Sequence, residues 1–217
     1  MFITLEGIDR SGKTTHAAVL ADSLGPGVEL LREPGGTEAG ERIRELLKDP
    51  AVELDPRAEL MLFSAARAQL VAERIAPARA AGADVVCDRF IDSTVAYQGV
   101  GRGLGAEYCE RVNELVVGPC IPELTLLLRI DPELAAERQG DGSDRFEREG
   151  VEFQRRVARR REPAGARARG YRCRRSNPRP DEGPRAHPRS PGGAVPVQRR
   201  AGGADLRGHR AGARRRG

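Results

Sequence analysis

Lysine is almost missing from this chain. Two lysines, Lys13 and Lys48, stand against 35 arginines among 217 residues. Neither follows an asparagine, so the Asn-Lys-x-Asp motif that reads guanine is absent, which argues against a regulatory GTPase. Cysteine is scarce as well. Cys87, Cys109, Cys120 and Cys173 show no C-x-x-C spacing, which disfavours a zinc site or a disulfide framework and suits a reducing compartment. No apolar run approaches the ~20 residues that cross a bilayer, so no membrane association is expected. The first residues enter a β-prone stretch without a basic region or a long apolar segment. A cytoplasmic protein without a secretory leader is the expectation.

Charge is unevenly spread. Residues 158–217 hold 18 arginines against 4 acidic residues, a balance of +14, whereas residues 1–157 hold 19 basic and 28 acidic residues, a balance of −9. The last 60 residues also contain 10 glycines, 7 prolines and only four of Val, Ile, Leu, Met, Phe or Tyr. Such a composition cannot bury enough apolar surface to offset chain entropy, and disorder is expected over 159–217. A shifted reading frame in a GC-rich gene accounts for it. A basic arm for nucleic acid competes with that account, but the segment lacks lysine and has one aromatic, Tyr171, to stack on bases.

One of the two lysines falls where a phosphate needs it. Gly7-Ile8-Asp9-Arg10-Ser11-Gly12-Lys13-Thr14 reads G-x-x-x-x-G-K-T, with the β-prone Phe2–Glu6 before it and a helical pattern from Thr15 to Leu24 after it. Strand, glycine turn and helix are the context this phosphate-loop motif requires. Glycines let successive N–H groups converge on one anion, and the helix N-terminus adds partial positive charge. Lys13 reaches β- and γ-phosphates and the Thr14 hydroxyl suits Mg²⁺.

Beyond the loop, strands alternate with helices. Val28–Arg32, Asp84–Asp88 and Leu124–Asp131 read as strands, the last as the clearest. Thr37 caps a helix running to Lys48, and a longer helix starts at Asp55-Pro56, kinked or divided at Pro77. The fold expected is α/β, a parallel P-loop NTPase-type sheet of four strands flanked by helices over residues 1–158. Ligands belong beyond the strands' C-terminal ends. There lie Gly7–Thr14, Glu33–Thr37 and Asp88–Tyr97.

Four stretches, in order, carry a resemblance: Phe2–Thr15, Arg32-Glu33-Pro34-Gly35-Gly36-Thr37, Asp88–Gly99 and Asp144-Arg145-Phe146-Glu147. Together they resemble the bacterial thymidylate kinases, which phosphorylate dTMP with ATP. The resemblance implies that Gly7–Thr14 cradle the donor, with Lys13, Arg89, Asp9 and Arg10 at the chemistry. It places Mg²⁺ on Thr14 and Asp88, and Arg89 and Arg42 on the acceptor phosphate. It implies Asp9 on the sugar 3′-hydroxyl, Phe63 stacked on thymine and Arg67 bonded to it. Thr94 and Gln98 then lie near the base and Tyr97 against the sugar. A lid over about 138–147 brings Arg138 to the adenine and Arg145 to the triphosphate. A homodimer is implied too. The lid is short, and the apolar pattern stops after Val157, where the family continues with a fifth strand and a last helix.

Overall fold

The computed structural model describes residues 1–138 and 145–159. The expectations for the middle of the lid and for the arginine-rich segment from residue 160 lie outside the described residues.

Four short strands form the sheet: β1 Phe2–Glu6, β2 Glu29–Arg32, β3 Val85–Asp88 and β4 Leu124–Leu127. Their order is β2-β3-β1-β4, and every pairing is parallel, as the alternating sequence pattern predicts. Both faces of β1 and β3 are covered. Phe2, Val85 and Cys87 pack with Leu70, Val71 and Ile75 on one face, while Leu5 and Val86 pack with Ala17 and Ala21 on the other. This is why those strands read as unbroken apolar runs.

The helices follow local chemistry. Helix α1, Lys13–Leu24, grows directly out of the phosphate loop. Helix α2, Glu38–Lys48, is capped by Thr37, whose hydroxyl accepts from the Gly40 N–H at 3.0 Å. Helix α3, Pro56–Leu70, starts on an Asp55 cap with proline in its first turn. Pro77 does not end this stretch. The backbone widens into a π-helical turn over Val71–Ile75 and resumes as α4, Ala76–Ala80, so the run is divided just before Pro77 without ending there. After β3 a short α5, Ile91–Thr94, opens into a second π-helical segment, Val95–Gly101, and α6 spans Ala106–Val117. Helix α7, Pro132–Glu137, precedes the lid, and α8, Gly150–Arg159, follows it.

The fourth strand corrects the sequence expectation. Leu124–Asp131 was expected as the clearest strand, yet the ladder ends at Leu127; every β4 residue is exposed. Its partner among the described residues, β1, ends at Glu6, where Gly7 turns away with φ 152°. Among the described residues no strand lies beyond β4. Leu124, Leu126 and Leu127 are 44%, 37% and 44% exposed, an apolar edge of the sort that normally pairs or is shielded.

Candidate active site

The loop after β1 is shaped by backbone constraints. A Cβ at Gly7 would stand 2.6 Å from both the Leu128 carbonyl oxygen and Ser11 Oγ, so only glycine fits. Arg10 and Arg89 hold left-handed backbones at φ 62° and 70°. Such conformations cost a side-chain-bearing residue about 1–2 kcal/mol and concentrate at functional sites. Lys13 is buried, its ammonium donating to the Ile8 carbonyl at 2.7 Å and to Ser11 Oγ at 3.4 Å. Burial, with repulsion from Arg89, lowers its pKa to about 7.

Arg89 is the hub on the acceptor side. Leaving the end of β3, its guanidinium donates to the Asp9 carboxylate, the Gly7 carbonyl at 3.0 Å, Ser93 Oγ at 3.1 Å and Tyr97 Oη at 3.2 Å. It also lies over the Tyr97 ring, 5.0 Å from its centroid. Asp9 Oδ2 in turn accepts from Tyr97 Oη at 2.9 Å and from Gln154 Nε2 at 2.8 Å. Burial works against the Asp9 carboxylate, but Arg89, Lys13 and these two donors hold its pKa below the usual range. Behind them Glu6 is wholly buried, accepting from the Phe90 N–H and Ser93 Oγ. Burial and the nearby Asp92 push its pKa up to about 7.

The two shifts have opposite consequences for stability. A raised Glu6 pKa means the folded chain holds a proton that the unfolded chain sheds, so stability falls between pH 4.5 and 7. A lowered Lys13 pKa means folding expels a proton, so stability returns as pH climbs from 7 towards 10.5. Chemical denaturation from pH 5 to 10 is therefore expected to show a minimum near neutrality. In Lys13→Met the rise on the alkaline side should disappear. An unchanged alkaline limb in that variant would contradict the assignment.

Residues that could hold a divalent cation are present. The Thr14 hydroxyl donates to Asp88 Oδ2 at 2.6 Å, and the other Asp88 oxygen is buried without a partner. An orphan carboxylate oxygen beside a phosphate-loop hydroxyl fits Mg²⁺. Among the described residues no group of three or more His, Cys, Asp or Glu could cage a metal unaided, so nucleotide phosphates would have to complete its coordination.

A cavity of about 460 Å³ joins the phosphate loop to the acceptor side, a volume suited to a small ligand. Asp9, Arg10, Lys13, Thr14, Asp88 and Arg89 line one end, and Phe63, Arg67, Thr94, Tyr97 and Gln98 line the other. Two expectations need correction. Arg42 points outward, 77% exposed and paired with Glu38 one turn earlier, while Arg44 lines the cavity and donates to the Pro34 carbonyl at 2.8 Å. The two positions are about 200° apart on α2, so only one can face inward. Arg145 does not reach the triphosphate side. It donates to the Leu47 carbonyl at 3.0 Å and pairs with the buried Glu59 at 2.8 Å.

Arg67 is present in the wall, but its donors are committed. It is 1% exposed, holds Glu33 through Nε and Nη2, and donates to Thr94 Oγ1, Asn113 Oδ1 and the Phe90 carbonyl. Arg138 is exposed and donates to the Arg10 carbonyl at 3.2 Å, which sets it against the phosphate loop. Three participants escaped sequence reasoning: Arg44, Gln154 on Asp9, and Phe146, whose ring meets Phe63 edge-on at 5.7 Å. Phe146 stood inside the Asp144–Glu147 motif and was the one signal available.

Comparison with known proteins agrees with this geometry. The thymidylate kinase family model matches residues 5–169. The thymidylate kinase of Pelotomaculum thermopropionicum is 50% identical over 163 residues, covering 72% of this chain and 76% of its own. That of Deinococcus radiodurans is 47% identical over 162 residues, covering 72% and 79%. The crystal structure of thymidylate kinase from Ehrlichia chaffeensis superposes with a TM-score of 0.58 at 42% identity, over 64% of this chain and 81% of that one. The chain belongs to the thymidylate kinase family of phosphotransferases.

Proposed function

We propose that this chain transfers the γ-phosphoryl group of ATP to dTMP, giving dTDP, with the roles below. The observation that carries the reading is the Asp9–Arg89–Tyr97 cluster at the junction of the phosphate loop and the acceptor end of one cavity. Phosphoryl transfer between two anions is mainly positioning and charge neutralisation. Lys13 and the loop N–H groups hold the donor phosphates. Thr14 and Asp88 would hold Mg²⁺, which when bound neutralises charge on the donor. Arg89 has a planar fork suited to the acceptor phosphate, and Arg44 adds a second cation on the same side. Asp9, kept ionised by its neighbours, accepts from a sugar hydroxyl. Arg10, on its strained backbone between the two ends, faces the transferring group. Phe63 stacks on the base, Tyr97 lies against the sugar, and Arg138 covers the adenine. Arg67, whose donors are all committed, fixes the pocket wall through Glu33 and Thr94 rather than bonding the base.

The acceptor is expected to be dTMP, with dUMP weaker and AMP and GMP rejected, because Phe63, Phe146 and Gln98 together line the acceptor end of the cavity and suit a single-ring base. Coupled assays across the monophosphates test this, and equal rates on a purine monophosphate would sink it. We also propose a homodimer, on the family resemblance, which sedimentation velocity decides. Nucleic-acid binding through the basic segment concerns residues outside those described, and the family match favours the kinase.

A further inference from the structure

Gln98 is a side chain whose two ends look alike in shape and differ in chemistry. It is 1% exposed and lines the acceptor end of the cavity. Whether it shows that cavity an oxygen or an NH₂ group decides which base edge it accepts.

The answer lies behind it, at Glu59. This carboxylate is completely buried on α3 and receives four side-chain donors. Arg102 reaches it through Nε and Nη2, both at 3.1 Å, and Arg145 through Nη1 at 2.8 Å. The fourth is the Gln98 amide at 2.7 Å. A carboxylate held between two guanidiniums offers lone pairs and nothing else. The branch of Gln98 that meets it must be the NH₂ branch. The carbonyl oxygen is then the end left towards the cavity.

Glu59 cannot swing away to allow the opposite sense. Arg102 is held by an ion pair with Glu149 and by the Phe153 ring at 4.8 Å. Arg145 is tied to the Leu47 carbonyl and its own N–H bonds the Lys48 carbonyl at 3.1 Å. Turning the amide over would set its oxygen against the carboxylate and leave a buried acceptor pair facing each other, which costs the full desolvation of both.

We propose that Glu59 is a positioning residue for base choice: by pinning Gln98 with its carbonyl towards the cavity, it makes the site select a pyrimidine that carries a ring N–H, and refuse one with a bare ring nitrogen. This inference rests on the pyrimidine reading of the acceptor pocket. Thymine and uracil carry that N–H. Cytosine presents a lone pair in its place, so two acceptors would meet without water between them.

The full-length chain is tested at neutral pH with dTMP and 5-methyl-dCMP, which share the methyl group and the sugar phosphate. The unaltered chain is expected to favour dTMP in kcat/KM by about 10²-fold or more, as sites built around a specific hydrogen bond do. Glu59→Gln, which can present NH₂ to Gln98 and so release it to turn, should shrink that ratio to about tenfold or less, mostly through KM. The exchange Glu59→Gln with Gln98→Glu keeps a donor facing an acceptor and an oxygen facing the base, so it should restore much of the preference. Thermal unfolding of each variant separates stability from selection. An unaltered chain that handles both nucleotides alike overturns the proposal. So does a folded Glu59→Gln chain with the original ratio and only a lower Tm, because that is the mark of a merely structural carboxylate. An unaltered chain that phosphorylates purine monophosphates but neither pyrimidine overturns the pocket reading itself, and this inference with it.

Discussion

Replacing Lys13 with alanine is expected to lower phosphoryl transfer by about 10²–10³-fold while leaving the fold intact, the range seen when one preorganised charge donor is removed. Its ammonium spans the loop from Ile8 to Ser11, where donor phosphates would lie. Arg10, on the same loop, is assigned to the transferring group and not to the donor phosphates that Lys13 holds. Arg89 is engaged with Asp9, Ser93 and Tyr97, and the first turn of α1 supplies no other cation. The fold should tolerate the loss, because burial makes this charge costly, which is why its pKa drops to about 7. Phosphates bound in the loop favour the charged form, so nucleotide should bring a proton with it above neutrality. A coupled kinase assay alongside circular dichroism decides the matter. A folded variant with near-normal turnover would mean that the donor sits elsewhere.

The second large effect falls on stability. Arg67→Met should cost about 3–5 kcal/mol, the usual penalty for breaking a buried ion pair from one side. Arg67 ties α3 to Glu33 after β2, to Phe90 after β3, to Thr94 on α5 and to Asn113 on α6. Burial already raises the Glu33 pKa against the pull of Arg67. Without that cation the carboxyl should stay protonated to higher pH, so the variant loses further stability as pH rises through the new folded value. Combining Arg67→Met with Glu33→Leu removes both charges and should recover much of the loss. Urea unfolding of the two single variants and the double gives the coupling. A single variant that loses less than about 1 kcal/mol would show the network to be solvated rather than sealed.

Much of this was readable in the chain, for identifiable reasons. Gly7–Thr14 announces itself because a phosphate loop needs glycine and lysine at fixed spacing, and neighbours in sequence make the site. The parallel four-stranded sheet followed from apolar runs alternating with helical ones. Arg42 and Arg44 show where such reading stops. Both sit in one helix of the right composition, and only docking of α2 against α3 determines which faces the cavity. Gln154 contacts Asp9 across 145 residues, a pairing with no local trace. Glu59 and Asn113 look like ordinary helical polar residues until their burial is known. The last strand misled only in length: its apolar pattern continues to Ile130, but β1 ends at Glu6 and the ladder stops at Leu127.

The β4 edge has a consequence for the donor site. Leu128, the residue after β4, donates its N–H to the Glu6 carbonyl at 2.8 Å, and its own carbonyl faces the space over Gly7. The wall of the phosphate cradle is thus supplied from the strand that lies outermost among the described residues. Segments of that kind open most often, in local excursions far smaller than global unfolding. Each opening of β4 would release the Glu6 carbonyl and remove the atom that confines Gly7. The lifetime of a competent cradle is then set less by the buried centre of the sheet than by how long its outermost strand stays zipped to β1.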